Sequence, residues 1–282
     1  MITRARPTRI YPGYVFDLDG TLYLGDSLLP GAAETVEIVR AHGARVAFLT
    51  NKPLELPTEY AAKLRRLGIP ADAEDVVSSI DALRLYLREH AQGARIYAVS
   101  EPLVADLLRE DGFELTDDPA RIDLVVVSFD RTFDYAKLLV SFLAVRAGAR
   151  IVATNPDPYC PTPEGGLPDC AAMLAAIEVA SGGRAEAIVG KPSIHMSRAV
   201  LGRLGLPARD AILVGDRLLT DVRMAEEAGM TSALVMTGAT SEADLRASDV
   251  RPDFVLTDVR ELVPQGMGPK PSRIPTSAAA TG

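Results

Sequence analysis

Apolar runs and amphipathic segments alternate along the whole chain. The runs, rich in β-branched residues, predict buried strands at Tyr14–Phe16, Arg45–Thr50, Ala94–Ser100, Leu124–Phe129, Arg150–Thr154, Ala211–Gly215, Ser232–Thr237 and Phe254–Leu256. The segments between them predict helices, for example at Thr58–Leu67, Asp81–His90, Leu103–Asp111, Tyr135–Ala147, Cys170–Ala180, Ile194–Leu204 and Asp221–Ala228. Strands that are apolar throughout and alternate with helices are typical of a parallel sheet covered on both faces. We therefore expect an α/β fold.

Polar residues follow three of the predicted strands and precede one predicted helix. In chain order they are Asp17 and Asp19, Thr50 and Asn51, Lys191, and Asp216 with Asp221. Because ligands bind beyond the carboxyl ends of the strands in such sheets, we expect these side chains to converge. Neither the dinucleotide-binding pattern G-x-G-x-x-G nor the P-loop pattern occurs in the sequence.

Several carboxylates at one edge of a sheet repel each other at neutral pH, and their burial is costly. A hard divalent cation removes that repulsion, and oxygen ligands completed by water are what Mg²⁺ prefers. Thr50, Asn51 and Lys191 can donate hydrogen bonds or positive charge to a phosphate. The set favours a carboxylate nucleophile that forms an aspartyl-phosphate, with a second aspartate that carries the proton.

Composition narrows the class of protein further. The chain has 282 residues, enough for about two domains, and a net charge of −8 without a basic block beyond short pairs such as Arg65-Arg66. We therefore expect no nucleic-acid partner. With no apolar run of membrane-spanning length and no secretory signal, we also expect no membrane partner and a cytoplasmic location. Two cysteines and three histidines are too few for a Cys/His zinc site.

Four short segments together resemble the four motifs of the haloacid dehalogenase (HAD) superfamily. They are DLDGT at Asp17–Thr21, the strand end Thr50-Asn51, Lys191 before a helix, and GDRLLTD at Gly215–Asp221. Order and spacing agree over the chain up to Leu262. The resemblance implies a Rossmann-like parallel-sheet core within the α/β class.

The resemblance also implies roles for the carboxylates. Asp17 is implied to be the nucleophile and a Mg²⁺ ligand. Asp19 is implied to be the general acid and base, with its backbone carbonyl on the metal. Asp216 is implied to bind Mg²⁺, and Asp221 to support the metal directly or through water. The implied cofactor is Mg²⁺, and the implied partner is a small-molecule phosphate ester.

The remaining motif residues are implied to bind phosphate. Thr50 and Asn51 would hold the phosphoryl oxygens, and Lys191 would neutralise the nucleophile and the phosphate. The chain departs from many relatives at Lys52-Pro53-Leu54, where those relatives carry a polar turn. The resemblance therefore carries no polar contacts over to that turn.

The long segment between Thr50-Asn51 and Lys191 resembles the type-two cap of the NagD and 4-nitrophenylphosphatase branch. The implied division is a core at residues 1–79 and 185–263 with an inserted α/β cap at 80–184. The tail at 264–282 is rich in Pro, Gly, Ser and Ala, which predicts disorder. Tyr159 and Cys160, in the segment DPYCP, are implied to reach over the core site and contact the substrate. Caps mediate dimers in this family, so a homodimer through the cap stays open.

Some of these residues also have a purely structural interpretation. Asp221 can serve as the cap of the helix that follows it, and Lys191 alone is typical of a solvated surface. Tyr159 and Cys160 can be ordinary loop residues, and Asp157 in NPDP is typical of a turn.

The function that we expect from the sequence is Mg²⁺-dependent hydrolysis of a small soluble phosphate monoester. A sugar phosphate is the first choice, followed by phosphoglycolate or glycerol phosphate and then a nucleotide. A mutase-type phosphotransferase and a non-catalytic phosphate-binding protein are the alternatives. A halide-releasing hydrolase ranks below them, because it does not need the full set of Mg²⁺ ligands.

Overall fold

Strands and helices alternate through residues 5–160 and 166–268, which the computed structural model describes. The strands are β1 Gly13–Asp17, β2 Tyr23–Leu24, β3 Ser27–Leu28, β4 Arg45–Thr50, β5 Val76–Ser78, β6 Arg95–Val99, β7 Glu114–Leu115, β8 Leu124–Val127, β9 Arg150–Ala153, β10 Tyr159–Cys160, β11 Leu167–Pro168, β12 Ala187–Ile188, β13 Ala211–Gly215, β14 Thr231–Val235 and β15 Phe254–Leu256. The helices are α1 Ala32–Ala41, α2 Pro57–Arg66, α3 Ser79–His90, α4 Pro102–Glu110, α5 Tyr135–Arg146, α6 Cys170–Ser181, α7 Ile194–Leu204, α8 Arg223–Ala228 and α9 Glu242–Ala247.

The sheet that positions the candidate site is parallel throughout and has the order β15-β14-β13-β1-β4-β5. Successive residues of the central strand β1 point to opposite faces, as the pleat requires. Phe16 packs into one hydrophobic cluster and Val15 into another on the other face, and both are fully buried. This double burial explains why the strand is an unbroken apolar run.

A second parallel sheet has the order β12-β9-β8-β6-β7. One face packs against α5 and α6 through a cluster that includes Val125 and Ile177. Val126, on the other face, belongs to the same cluster as Val15 of the first sheet. The two sheets are therefore joined by continuous apolar packing around α3 and α7.

The predicted α/β class is confirmed, and each predicted strand is found with ends that differ by at most two residues. The short strands β5, β7 and β12 were not predicted. The division at residues 79/80 and 184/185 stays a prediction, as does a homodimer through the inserted segment. Of the predicted disordered tail at 264–282, residues 269–282 lie outside the described part of the chain.

The helix predicted at Asp221–Ala228 begins later and differently. Leu218–Val222 form a π-helical turn, and α8 follows from Arg223. The Asp221 carboxylate lies inside this turn and accepts the backbone N–H of Arg217 at 3.1 Å. Asp221 is therefore not the residue that caps α8. Turns of this kind occur frequently at functional sites.

Within residues 5–160 and 166–268, no helix combines the length and the apolar character that crossing a membrane requires.

Candidate active site

A cavity of about 640 Å³ opens at the carboxyl ends of β1, β4 and β13. The parallel register brings these strand ends side by side, as expected for a sheet of this type. Residues at the strand ends of the first sheet, in the loops, in the short strand β10 and in helix α2 line the cavity. They include Asp17, Asp19, Thr50, Asn51, Lys52, Lys63, Asp157, Tyr159, Cys160, Asp169, Lys191, Asp216, Arg217 and Thr237–Ala239.

Lys191 lies between two carboxylates at the base of the cavity. Its ammonium Nζ donates to Asp17 Oδ1 at 2.5 Å and to Asp221 Oδ1 at 2.6 Å. Burial alone lowers the pKa of Lys191, but Asp17 and Asp221 outweigh it and raise the pKa above its usual range. Lys191 therefore carries a fixed positive charge beside the predicted nucleophile.

The Asp17 carboxylate is buried at the end of β1. Burial raises the pKa of Asp17 well above its usual range; Lys191 opposes this shift, and the charges of Asp221 and Asp216 add to it. The single positive charge of Lys191 does not balance the negative charges of Asp17, Asp216 and Asp221.

Asp17, Asp216 and Asp221 each offer a carboxylate oxygen, and these oxygens lie within 4.8 Å of one another. Asp216 Oδ2 accepts the backbone N–H of Ala239 at 2.6 Å, while Asp216 Oδ1 is buried without a hydrogen-bond partner among the described residues. Burial and the charge of Asp221 raise the pKa of Asp216 to about 6. A buried oxygen without a partner, in an oxygen-only donor set, fits a hard divalent cation such as Mg²⁺.

Glycines allow the Asp216 carboxylate to approach two loops. A Cβ on Gly20 would lie 2.5 Å from Asp216 Oδ2, and one on Gly238 would lie 2.1 Å from it. Gly20 also has a φ of +84°, which disfavours other residues. The loop after β1 and the loop after β14 therefore close around this carboxylate, which explains the glycine in DLDGT.

Asp19 also lines the cavity but does not belong to the group formed by Asp17, Asp216 and Asp221. Its Oδ2 lies 3.0 Å from the Nζ of Lys52, and both side chains are partly exposed. No polar contact was expected at the turn that contains Lys52, so this ion pair is a new feature of the site. The predicted contact of the Asp19 backbone carbonyl with a metal stays a prediction.

Thr50 ends β4 and Asn51 follows it at the base of the cavity, and both are buried. Thr50 Oγ1 accepts the backbone N–H of Lys52 at 3.2 Å. Asn51 Nδ2 donates to Asp157 Oδ2 at 2.9 Å, and Asn51 Oδ1 accepts the backbone N–H of Lys191 at 2.7 Å. Asn51 therefore connects the loop after β9 with the segment that carries Lys191.

Tyr159 and Cys160 form β10, which pairs with β11 and lines the cavity opposite the strand ends. The Tyr159 ring is about half exposed. Burial raises the pKa of the Cys160 thiol, and the nearby charge of Lys52 opposes that shift. Both residues lie where a bound ligand can contact them; their predicted role in binding stays a prediction.

Residues outside the predicted set also line the cavity, among them Lys52, Asp157, Asp169 and Arg217. Lys52 and Arg217 each stand next to a predicted site residue. Their position beside the motifs was the one signal in the sequence that they line the site. Asp157 was interpreted as a turn residue. Its partner Asn51 is 106 positions away, and no local pattern reports such a contact.

The chain matches two protein-family models and is similar in sequence to known phosphatases. A model of haloacid dehalogenase-like hydrolases matches residues 14–114, and a second HAD-like hydrolase model matches 188–262. The sugar-phosphatase AraL of Bacillus subtilis is 33% identical over 262 residues, which cover 93% of this chain and 96% of that protein. An acid sugar phosphatase of Staphylococcus haemolyticus is 33% identical over 253 residues, covering 90% and 95%.

Solved structures of similar proteins share the fold of this chain. A 4-nitrophenylphosphatase from Thermotoga maritima superposes with a TM-score of 0.84 at 34% identity, covering 89% of this chain and 96% of that one. A glycerol phosphate phosphatase from Mycobacterium tuberculosis, solved in complex with magnesium, gives 0.83 at 33% identity, covering 92% and 78%.

Proposed function

The chain belongs to the haloacid dehalogenase-like hydrolases and is a phosphatase, and we propose that it hydrolyses small soluble phosphate monoesters with Mg²⁺ through an aspartyl-phosphate. The observation that carries the proposal is the group of carboxylates around Lys191 at the base of the cavity. Asp17 is held by the Lys191 ammonium at 2.5 Å, with the oxygens of Asp216 and Asp221 close by.

In the first step an Asp17 oxygen attacks the phosphorus, and the bond from phosphorus to the leaving oxygen breaks. The leaving oxygen takes a proton from Asp19, which faces the open part of the cavity. Lys191 stabilises the negative charge that is shared between Asp17 and the phosphoryl oxygens. Thr50, at the end of the neighbouring strand, donates to one of those oxygens in this scheme.

In the second step a water molecule attacks the phosphorus of the aspartyl-phosphate, and Asp19 takes the proton of that water. The bond between phosphorus and Asp17 breaks, which releases inorganic phosphate and restores the Asp17 carboxylate. Asp17, Asp216 and Asp221 are the residues that would hold Mg²⁺. When bound, Mg²⁺ supplies positive charge that offsets the carboxylates and polarises a phosphoryl oxygen.

The substrate that we propose is a sugar phosphate or a metabolite of similar size. The cavity of about 640 Å³ is in the range of small-molecule sites, and the curated relatives described above include sugar phosphatases. A panel of metabolite phosphates ranked by kcat/KM tests this choice. We propose a cytoplasmic location, with which two thiol cysteines agree.

The proposed function is tested by hydrolysis of 4-nitrophenyl phosphate with Mg²⁺ and again after chelation with EDTA. We expect turnover with Mg²⁺, loss of turnover on chelation, and recovery when Mg²⁺ is returned. Absence of turnover in the presence of Mg²⁺, or turnover that chelation leaves unchanged, contradicts the proposal.

Lys52→Met is expected to lower kcat about 10-fold with little change in KM, because Asp19 loses the ion pair that orients its carboxylate. Lys63→Met is the matched control. Lys63 also lines the cavity, but its Nζ lies over the Tyr23 ring at 4.2 Å, and it should retain kcat within about threefold. Steady-state kinetics with 4-nitrophenyl phosphate decide between these outcomes; equal losses in both variants would point to a general effect of cavity charge.

A further inference from the structure

The side chain of Asn51 joins two segments that are far apart in the sequence. Its Nδ2 donates to Asp157 Oδ2 at 2.9 Å and to the backbone carbonyl of Lys191 at 3.3 Å. Its Oδ1 accepts the backbone N–H of Lys191 at 2.7 Å. We call this arrangement the Asp157–Asn51–Lys191 bridge.

The partners fix the orientation of the Asn51 amide. A carboxylate such as Asp157 and a backbone carbonyl only accept hydrogen bonds, and a backbone N–H only donates, so the reversed amide would face three mismatched groups. Asn51 is also buried, which makes a mismatch costly. Both N–H donors of the amide are engaged in the bridge, so neither is directed to a phosphoryl oxygen.

The surroundings of the bridge hold Asp157 in place. The backbone N–H of Asp157 donates to Asn155 Oδ1 at 2.9 Å, and Asn155 Nδ2 reaches the backbone carbonyl of Asn51 at 3.4 Å. A Cβ on Gly190 would lie 2.7 Å from Asn51 Oδ1 and 2.4 Å from the Thr154 carbonyl. The glycine before Lys191 therefore permits the close approach on which the bridge depends.

We propose that Asp157 is a positioning residue for the hydrolytic reaction, and that it acts through Asn51 on Lys191. The proposal rests on the phosphatase function proposed above. Asp157 orients the Asn51 amide, the amide holds both backbone polar groups of Lys191, and the Lys191 ammonium then meets Asp17 at 2.5 Å. The side-chain amide of Asn51 is then a link in this bridge, while the predicted phosphate contact of Asn51 stays open to its backbone N–H.

Two variants at Asp157 separate the hydrogen bond from the charge. Asp157→Asn keeps an oxygen that can accept from Asn51, whereas Asp157→Leu has similar size and no acceptor. We expect Asp157→Leu to lower kcat for 4-nitrophenyl phosphate about 10- to 100-fold with a smaller change in KM. Asp157→Asn should stay within about threefold of the wild-type protein.

A donor–acceptor exchange gives a second test that a purely structural role does not pass. Asn51→Asp places two carboxylates against each other and should lower kcat at least as much as Asp157→Leu. The double variant Asn51→Asp with Asp157→Asn restores a donor facing an acceptor between positions 51 and 157, with the roles exchanged, but not the contact of position 51 with the Lys191 carbonyl. We expect it to recover at least about 10-fold of the kcat that Asn51→Asp loses.

Binding of inorganic phosphate in the presence of Mg²⁺, measured by calorimetry, gives a readout that does not depend on turnover. Asp157→Leu should weaken the phosphate Kd about 10-fold and Asp157→Asn should not. If the wild-type protein binds phosphate but hydrolyses no ester, the proposed function fails. The phosphate Kd values of the Asp157 variants then still test the bridge. Wild-type protein that does neither overturns both proposals.

The bridge is overturned by any of three results. Equal losses in Asp157→Asn and Asp157→Leu show that the charge of Asp157, near Arg217, is what matters. A lower melting temperature in Asp157→Leu with unchanged kcat shows a turn residue only. Failure of the double variant to recover activity, while it melts like the wild-type protein, shows that Asn51 and Asp157 do not act through their hydrogen bond.

Discussion

Asp17→Asn is expected to remove turnover, with a decrease in kcat of at least about 10³-fold. The amide keeps the size of the side chain but cannot attack phosphorus, so no aspartyl-phosphate forms. The variant should still fold, because it removes a buried charge whose desolvation is costly and loses one ion pair of Lys191, which keeps Asp221 at 2.6 Å. Kinetics with 4-nitrophenyl phosphate measure the turnover of the variant, and circular dichroism measures whether it folds.

The matched control for this variant is Asp26→Asn. Asp26 belongs to the turn between β2 and β3, and its side chain is 87% exposed. It should keep the wild-type kcat. Turnover by Asp17→Asn close to that of Asp26→Asn would contradict the role of Asp17 as the nucleophile.

Lys191→Met is expected to lower kcat about 10³-fold and also to destabilise the metal-free protein by about 3–5 kcal/mol. Methionine has a similar length but no charge, so the buried carboxylates of Asp17 and Asp221 lose the cation that they share. Added Mg²⁺ should raise the melting temperature more for this variant than for the wild-type protein, because the cation replaces the lost positive charge.

The stability deficit of Lys191→Met should also depend on pH with a definite sign. Lys191 lowers the pKa of Asp17, so its loss raises that pKa further, and the folded variant takes up a proton at a higher pH than the folded wild-type protein does. The deficit is therefore largest at neutral pH and narrows as the pH falls towards the usual range of an aspartate. Urea denaturation without metal at several pH values measures it, with Lys63→Met as the control. A deficit that is constant with pH would show that repulsion between carboxylates is not its cause.

Much of the core fold followed from the apolar runs. Tyr14–Phe16 is buried on both faces of a parallel sheet, and a strand in that position needs a continuous apolar sequence that is easily recognised. The strands β5, β7 and β12 have only two or three residues and no such run. The π-helical turn at Leu218–Val222 was also missed, because the same residues fit the start of an ordinary helix.

The candidate site could be predicted where its residues stand directly at strand ends. Asp17 ends β1 and Asn51 directly follows β4, so the parallel pairing of these two strands brings them together. Lys52 follows Asn51 directly, but the direction of its side chain towards Asp19 depends on the conformation of the turn. The contact of Asp157 with Asn51 depends on how the loop after β9 meets the first sheet, and no periodicity in the sequence encodes that contact.

The central claim, that hydrolysis passes through a phosphate on Asp17, is tested most directly by trapping that intermediate in the variant Asp19→Asn. The leaving group of 4-nitrophenyl phosphate departs without a proton from Asp19, but the attacking water lacks its base, so the aspartyl-phosphate should accumulate. Borohydride reduction of the quenched protein converts such an aspartate to homoserine, and peptide mass spectrometry locates it. We predict homoserine at position 17 in a substrate-dependent manner; homoserine at another position, or none while the wild-type protein turns over, would contradict the claim.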